Sequence, residues 1–198
     1  MKIAVSTIRI LVQPLAIGLL AALLVRATLL QAYSIPSASM SPTLQPGDHI
    51  LVTPARGFRD ERIDRGSVVV FRNPDAGHGY FVKRVVAVPG DFLEIRNGAV
   101  RVNGRWLAEP HVGSEPTSGE LAELVPRGRV FVMGDHRTDS IDSRNWGFLP
   151  SDRIVGRARL IFWSSGASAG SEAFAQGSGS PARRTAGPRW ERIFRPIR

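Results

Sequence analysis

The sequence contains no cysteine and almost no lysine. Without cysteine, the chain can form neither a disulfide nor a thiolate that acts as nucleophile or metal ligand. Among the 26 basic residues of the 198-residue chain, only Lys2 and Lys83 are lysines, and the other 24 are arginines. Arginine stays protonated in proteins, whereas a buried lysine can lose its proton. The lysine at position 83 therefore indicates either a need for a neutral amine or an accident of composition.

Acidic residues are also fewer than basic ones, and the formal net charge is +9. Such an excess can indicate nucleic-acid binding, but the arginines are scattered, and only residues 183–198 hold a dense cluster. The sequence has no zinc-ligand spacing, no basic helix and no row of stacking aromatic residues, which argues against a nucleic-acid partner. The length suits one domain, or one domain with an anchor.

The N-terminal part of the sequence is apolar. Residues 10–25 carry no charge, and the apolar character resumes after Arg26. This run reaches the roughly 20 residues that span a bilayer if Arg26 lies near one interface. Basic residues precede the run, which puts the N-terminus in the cytoplasm and the chain from about residue 33 outside. We predict a cytoplasmic start and one transmembrane anchor over residues 1–32. A cleavable signal peptide is the alternative, because small residues occur near 37–39.

Short β-branched and aromatic runs separated by turn residues predict strands after the anchor. These runs are residues 49–53, 67–71, 80–88, 92–95, 99–102, 129–133 and 154–163. Asn97 and Gly98 lie between two of them, and this dipeptide is typical of a two-residue hairpin turn. No segment after the anchor has a convincing helical period. We predict a mainly β fold: an antiparallel, barrel-like sheet domain over residues 33–163, preceded by one N-terminal transmembrane helix.

The C-terminal part differs in composition. Residues 164–189 are rich in glycine, serine, alanine and proline, which predicts a flexible segment. In residues 190–198, Trp190, Phe194 and two isoleucines are interspersed with largely basic positions. We expect this tail to dock on the β domain, and contact with a membrane surface is the alternative.

Ser37 and Ser39 follow the anchor in a segment, residues 34–44, that contains two prolines. Proline biases a chain toward extended conformation, and residues two apart in an extended chain share a face. One hydroxyl could then act as a nucleophile while the other donates a hydrogen bond to the oxyanion that forms. The alternative is an ordinary linker rich in serine and proline.

Lys83 lies in a predicted strand, where alternation places Phe81 and Val85 on its face and Arg84 on the other. Apolar neighbours would remove water from the ammonium and lower the pKa of Lys83, and the charge of Arg84 would act in the same direction. A neutral amine could accept the proton of a serine hydroxyl without a histidine. The alternative is a lysine on the exposed surface of a strand.

Residues 133–147 contain three acidic residues, two arginines and several hydroxyl groups in a turn-rich stretch. Such a density predicts a loop that internal ion pairs and hydrogen bonds hold rigid beside a site. A solvated charged loop is the alternative.

Three segments resemble conserved boxes of the bacterial type I signal peptidases, in the same order and after a membrane anchor. They are residues 37–44, 81–91 and 134–144. The resemblance extends from the anchor to about residue 163 and includes the C-terminal tail. His136, Thr138 and Phe81 depart from the residues usual in these boxes, but they lie outside the implied catalytic set. Lys83 argues for the bacterial type, because the eukaryotic-type relatives carry histidine there.

The resemblance implies that Ser39 is the nucleophile and that Lys83 is its general base. It also implies that Ser37 joins the backbone amide of Ser39 in the oxyanion hole. Supporting roles are implied for residues of the third segment: Ser140 would orient the lysine amine, Asp142 and Arg144 would hold the loop, and Asp135 and Arg137 would be structural.

The implied function is that of a membrane-anchored serine endopeptidase, which removes N-terminal signal peptides from exported preproteins through an acyl-enzyme. The expected substrates are secretory preproteins with small residues at positions −3 and −1 of the cut. The expected location is the cytoplasmic membrane, with a single pass and the catalytic domain on the extracytoplasmic (periplasmic) side. The lipid bilayer is therefore an expected partner, and no metal, organic cofactor or nucleic acid is expected.

The sequence leaves other functions open. Four histidines could serve a Ser-His-Asp protease, although none lies in a recognisable triad motif; they are His49, His78, His111 and His136. A specialised relative that processes one pilin or conjugation precursor would carry the same boxes. A membrane-tethered β binding module would leave the paired serines and the lone lysine unexplained. A self-cleaving repressor would need a DNA-binding region and no anchor.

Overall fold

The computed structural model describes residues 14, 15, 17, 18, 30–55, 63–74, 79–113, 116–166 and 186–197. In these residues the chain is mainly antiparallel β-sheet, which confirms the predicted class of the β domain. The predicted transmembrane helix falls largely on residues outside the described ranges. Within those ranges, no helix has the length and apolar character needed to cross a bilayer.

Thirteen strands occur in the described residues. They are β1 (Gln31–Ser34), β2 (Asp48–Pro54), β3 (Val68–Arg72), β4 (Tyr80–Ala87), β5 (Phe92–Arg96), β6 (Ala99–Val102), β7 (Arg105–Trp106), β8 (Leu121–Leu124), β9 (Arg129–Met133), β10 (Leu149–Pro150), β11 (Ile154–Gly166), β12 (Ala186–Pro188) and β13 (Arg195–Pro196). A one-turn helix, α1 (Ser143–Trp146), follows β9, and 3₁₀ turns occupy Ser151–Arg153 and Trp190–Arg192.

Two antiparallel sheets contain these strands. The larger sheet has the neighbour order β1-β2-β11-β3-β4-β9-β10, and β11 also pairs with β12 and β13. The smaller sheet has the order β7-β6-β5-β8. The long strand β11 therefore lies between β2 and β3 and also receives both C-terminal strands. This arrangement brings the segment before β2 close to β4 and β9, which are distant in the chain.

All seven predicted runs are strands, because each is rich in β-branched or aromatic residues. Burial alternates along β2, β5 and β6, whereas most residues of β3, β4 and β9 are buried in succession. The predicted hairpin joins β5 and β6, and both of its turn residues adopt positive φ, 52° at Asn97 and 79° at Gly98. The strands that were not predicted are β1, β7, β8, β10, β12 and β13. They are two to four residues long, too short to show a period.

Three clusters of buried apolar side chains form the core. The first lies around β2, β3 and β11 and includes Met40 and Leu44 from the loop after β1. The second lies between the smaller sheet and β9. The third includes Phe71 and Val85 and packs on β3, β4 and β9. The loop after β1 is thus part of the core rather than a free linker.

The C-terminal segment (residues 186–197) lies on the β domain, which confirms the docking interpretation of the tail. β13 pairs with Leu160 and Ile161 of β11, and Ile197 packs against the first cluster. The predicted flexible segment is wrong at its ends, because β11 continues to Gly166 and β12 begins at Ala186. Residues 167–185, its central part, lie outside the described residues.

Candidate active site

Ser39 lies in the loop between β1 and β2, which we call the serine loop (residues 35–47). The loop contains a turn closed by a hydrogen bond from the Leu44 amide to the Met40 carbonyl (2.8 Å). The side chains of Met40 and Leu44 are buried, and burial of such a side chain contributes about 1.5–3 kcal/mol. Ser39 itself is half-buried and directly precedes Met40, the first of these two buried residues.

The expectation of an extended serine segment is wrong. Residues 37–44 form bends and turns, because hydrogen bonds such as that from the Ser41 amide to the Ala38 carbonyl (2.8 Å) fold the chain back. The two hydroxyls still lie near each other, with Ser37 Oγ 3.4 Å from Ser39 Oγ, and either can be the donor. A turn, rather than alternation along a strand, brings them together.

Lys83 lies in β4, and 4% of its surface is exposed. Its Nζ donates a hydrogen bond to Ser39 Oγ at 2.6 Å. Phe81 and Val85 belong to the third cluster, as does Val69, the residue opposite Lys83 on β3. The alternative of an exposed strand lysine is therefore wrong, because the apolar side chains predicted on this face cover the lysine.

Burial lowers the pKa of Lys83 to about 8, because the ammonium loses most of its water. The charge of Asp142 raises the pKa, and that of Arg144 lowers it. We expected Arg84 to supply the lowering charge, but its guanidinium is bound to Asp135. Near pH 8 a large fraction of the lysine is neutral, and a neutral amine at 2.6 Å can accept the serine proton.

Asp142 joins the two ends of the loop between β9 and α1. Its Oδ2 accepts hydrogen bonds from the Gly134 amide (2.9 Å), the Ser140 hydroxyl (2.8 Å) and Arg144 Nη2 (2.8 Å), and Arg144 Nε donates to Oδ1 (2.8 Å). Burial raises the pKa of Asp142, but the hydrogen bonds from Arg144 and Gly134 outweigh burial and hold the pKa below its ordinary value. The carboxylate therefore stays charged, so the loop is tied and not merely solvated.

Ser140 contacts this carboxylate rather than the lysine. Its hydroxyl donates to Asp142, and in the described part of the chain no hydrogen bond joins Ser140 to Lys83. The expected orientation of the amine by Ser140 therefore stays a prediction. The contact that the structure contains is indirect, through Asp142, whose charge acts on the lysine.

Asp135 and Arg137 connect the same loop to its neighbours. Arg84 donates to both oxygens of Asp135, through Nε at 2.8 Å and Nη2 at 2.7 Å, and both side chains are buried. Arg137 donates to the Gly134 carbonyl at 3.1 Å and pairs with Glu109. The sequence indicated structural roles for Asp135 and Arg137, but it did not indicate that Arg84 is a partner.

The backbone of this loop touches the serine loop directly. The His136 amide donates to the Ser39 carbonyl at 3.1 Å. A Cβ atom at Gly134 would lie 2.5 Å from that carbonyl oxygen, so the approach requires glycine. We did not predict either contact, and the only sequence signal was the presence of glycine at the start of the third segment.

The three described histidines, His49, His111 and His136, do not form a triad with Ser39. Within the described ranges, no histidine side chain is hydrogen-bonded to Ser39. The centroid of the His49 ring lies 6.0 Å from that of the Phe162 ring, the Nε2 of His111 is 3.9 Å from Asp135, and the Nδ1 of His136 is 3.9 Å from Asp139. His78 lies outside the described residues. The Ser-His-Asp alternative therefore has no support in this geometry.

Comparison with known proteins assigns the family. The family described as "Signal peptidase, peptidase S26" matches residues 8–163. The "Probable signal peptidase I-1" of Synechocystis sp. is 40% identical over 157 residues, which are 75% of this chain and 79% of that protein. The "Probable signal peptidase I-2" of the same organism is 37% identical over 144 residues, 70% of this chain and 66% of that protein.

The chain belongs to the signal peptidase family. It is therefore a serine peptidase that acts on preproteins with signal peptides. The match includes Ser39, Lys83 and the third segment, and it ends before the C-terminal segment. A crystal structure of a signal peptidase I from Enterococcus faecalis is 27% identical, with a TM-score of 0.44, and the superposition covers 49% of this chain and 97% of that one.

Proposed function

We propose that the chain is a membrane-anchored signal peptidase in which Ser39 is the nucleophile and Lys83 the general base. The observation that carries this proposal is the 2.6 Å separation of Lys83 Nζ from Ser39 Oγ at a lysine that is almost fully buried. The two atoms are within the distance required for direct proton transfer. The depressed pKa of Lys83, about 8, supports a neutral amine at the working pH.

In the acylation step, the Ser39 hydroxyl donates its proton to the lone pair of Lys83. A bond forms between Ser39 Oγ and the scissile carbonyl carbon. The resulting oxyanion accepts hydrogen bonds from the Ser37 hydroxyl and the Ser39 amide. The lysine ammonium then gives its proton to the leaving nitrogen, the carbon–nitrogen bond breaks, and the mature protein departs with a free amino terminus.

In the deacylation step, the signal peptide is bound to Ser39 as an ester. Lys83, neutral again, removes a proton from a water molecule, and the oxygen of that water attacks the ester carbonyl. The carbon–Oγ bond breaks, and the ammonium returns the proton to Ser39. Neither step requires a metal or organic cofactor, because the Lys83 amine accepts and returns every proton that is transferred.

The loop of Asp142 supports this chemistry through position and charge. Asp142 holds Arg144 and the Gly134 amide, and the adjoining backbone of His136 fixes the Ser39 carbonyl. Rigid support of this kind keeps the reacting atoms within a few tenths of an ångström of productive geometry. We assign Ser140 to the orientation of Lys83 through Asp142.

The proposed substrates are secretory preproteins with small residues at −3 and −1, bound in extended form along a strand edge. The anchor of this proposal is the apolar run that precedes β1, because Gln31 and Ala32, which the sequence assigned to the anchor, pair with β2. It places the catalytic domain on the periplasmic side of the cytoplasmic membrane. This topology rests on the basic residues before the apolar run and on the start of the β domain directly after it.

Cleavage by the purified full-length chain in detergent tests the proposed dyad. The substrate is a preprotein with alanine at −3 and −1. We expect Ser39→Ala and Lys83→Arg to lower kcat by at least about 10²-fold, since a general base contributes about 10² to 10⁴-fold. Lys83→Arg keeps the charge but cannot deprotonate. Lys2→Arg makes the same substitution at the other lysine and should retain wild-type kcat. Near wild-type cleavage by Lys83→Arg would contradict the dyad.

The absence of cysteine allows a direct test of topology. A single Lys2→Cys or Arg105→Cys substitution is introduced and probed in intact cells with a periplasm-accessible maleimide that cannot cross the cytoplasmic membrane. We expect labelling at position 105, which is exposed on β7, and labelling at position 2 only after the membrane is permeabilised. The reverse pattern would contradict the proposed orientation.

A further inference from the structure

Part of the C-terminal segment lies beside the serine loop. After β12 pairs with the end of β11, Arg189 and Arg192 extend from a 3₁₀ turn toward Asp48, the first residue of β2. Asp48 is fully buried, and 5% of the Arg192 surface is exposed. Charged groups this deeply buried persist only when they are paired and hydrogen-bonded.

Asp48 is the centre of a dense polar cluster. Arg192 Nη2 lies 2.5 Å from Oδ2, and Ser164 Oγ of β11 donates to Oδ1 at 2.7 Å. Arg189 Nη2 also donates to Oδ1, at 3.1 Å, and the Gln45 amide of the serine loop donates to Oδ2 at 2.8 Å. One carboxylate therefore joins the C-terminal segment, β11 and the serine loop.

Both arginines also bind the backbone of the serine loop directly. Arg192 Nη2 donates to the Thr43 carbonyl at 2.9 Å. Arg189 Nη2 donates to the Pro46 carbonyl, and its Nη1 donates to Gln45 Oε1, each at 2.7 Å. The half of the loop that follows the nucleophile is thus held from the C-terminal side. The half that contains Ser39 is held by the His136 amide of the loop after β9.

We propose that Arg189 and Arg192 are positioning residues, which fix the serine loop so that Ser39 meets Lys83 in reactive geometry. This inference rests on the proposed function, since it takes Ser39 to be the nucleophile. Neither arginine is hydrogen-bonded to Ser39 or Lys83 within the described residues, so both act through the loop. A loop that shifts by about 1 Å can lose on the order of 10²-fold in rate without loss of substrate binding.

The test compares Arg192→Met and Arg189→Met with Arg195→Met in the full-length protein. Arg195 is a matched control because it lies three residues further along the same segment, is exposed, and pairs with β11 through its backbone. Arg192→Lys keeps a charge for Asp48 but lacks the guanidinium fork. The readouts are kcat and KM, the melting temperature, and hydrogen–deuterium exchange of residues 37–47.

We expect Arg192→Met to lower kcat at least about tenfold with KM within about twofold, and to speed exchange in the serine loop at a temperature where the protein is fully folded. Arg192→Lys should recover part of kcat, and Arg195→Met should match the wild type. If Arg192→Met does not fold, Arg189→Met is used instead, because the Arg189 side chain is less buried than that of Arg192.

Three outcomes would overturn the inference. If kcat falls only in proportion to the unfolded fraction, the arginines serve stability alone. If folded Arg192→Met or Arg189→Met keeps wild-type kcat and exchange while Ser39→Ala is inactive, the proposed function stands and positioning fails. If Ser39→Ala itself remains active, the proposed function fails, and positioning of a nucleophile fails with it.

Discussion

The buried ammonium of Lys83 should lower the free energy of unfolding, so Lys83→Met should be more stable than the wild type below pH 8. Burial lowers the pKa of Lys83 from 10.5 to about 8. At about 1.4 kcal/mol per pH unit, the buried ammonium costs about 3 kcal/mol below pH 8. Methionine removes this cost, fills similar space and forfeits one hydrogen bond to Ser39, worth about 1 kcal/mol. The net expectation at pH 7 is a gain of about 2 kcal/mol.

The stability difference between Lys83→Met and the wild type depends on pH. The unfolded chain holds the lysine proton up to about pH 10.5, whereas the folded chain releases it near pH 8. Between these values the unfolded state binds more protons, so the stability of the wild type rises with pH and the advantage of Lys83→Met shrinks. Thermal unfolding in detergent at several pH values measures this, and about 2 kcal/mol corresponds to about 4–8 °C in Tm at this size.

Ser39→Ala is the control for this experiment, because it removes the hydrogen bond and keeps the buried amine. It should retain the pH dependence of the wild type. The reasoning would be refuted by a Lys83→Met protein that is less stable than the wild type at pH 7, or by a stability difference that is unchanged up to pH 10.

Three further predictions follow from the site. The kcat/KM should rise about tenfold per pH unit up to about pH 8 and then level, because only neutral Lys83 accepts a proton; a flat profile from pH 5 to 9 would contradict it. Gly134→Ala should lower kcat, and in urea unfolding it should lower the free energy of unfolding by about 1–3 kcal/mol, because its Cβ would push the Ser39 carbonyl. Arg84→Met should lower the free energy of unfolding by about 3–5 kcal/mol in the same assay, because it removes the guanidinium that pairs with the buried Asp135 carboxylate.

Two substitutions provide controls for these variants. Gly113→Ala adds a methyl group where no atom lies within 4 Å, so its activity and stability should match the wild type. Arg96→Met removes an exposed ion pair with Glu120, 4.0 Å long, and should change the free energy of unfolding by less than about 1 kcal/mol. If either control behaves like its buried counterpart, contact geometry is not the cause of the predicted losses.

Local patterns in the sequence were sufficient to predict seven of the thirteen described strands and the environment of Lys83. Alternation in β4 placed Phe81 and Val85 beside the lysine, and both do lie in the apolar cluster that covers this face. Alternation is a property of neighbouring residues, and a single chain displays it directly. The serine segment shows the limit of this logic, since its two prolines suggested an extended chain while hydrogen bonds within the loop made turns.

The contacts that complete the site join residues far apart in the chain. Arg84 and Asp135 are 51 positions apart, and Arg192 and Asp48 are 144 apart. No periodicity links such positions, so the sequence showed the charges but not their partners. The approach of Gly134 to Ser39 depends in the same way on the packing of two loops from different parts of the fold.

At three buried positions, the use of arginine instead of lysine has a physical reason in this structure. Arg84, Arg137 and Arg192 are buried and bound to carboxylates, and each must stay charged to compensate its partner. Arginine suits these positions because its proton is not lost and its planar fork binds two oxygens. Position 83 has the opposite requirement, since its side chain must lose a proton to accept one from Ser39. An arginine there would donate to the same hydroxyl but could never deprotonate it, so Lys83→Arg isolates proton transfer from charge.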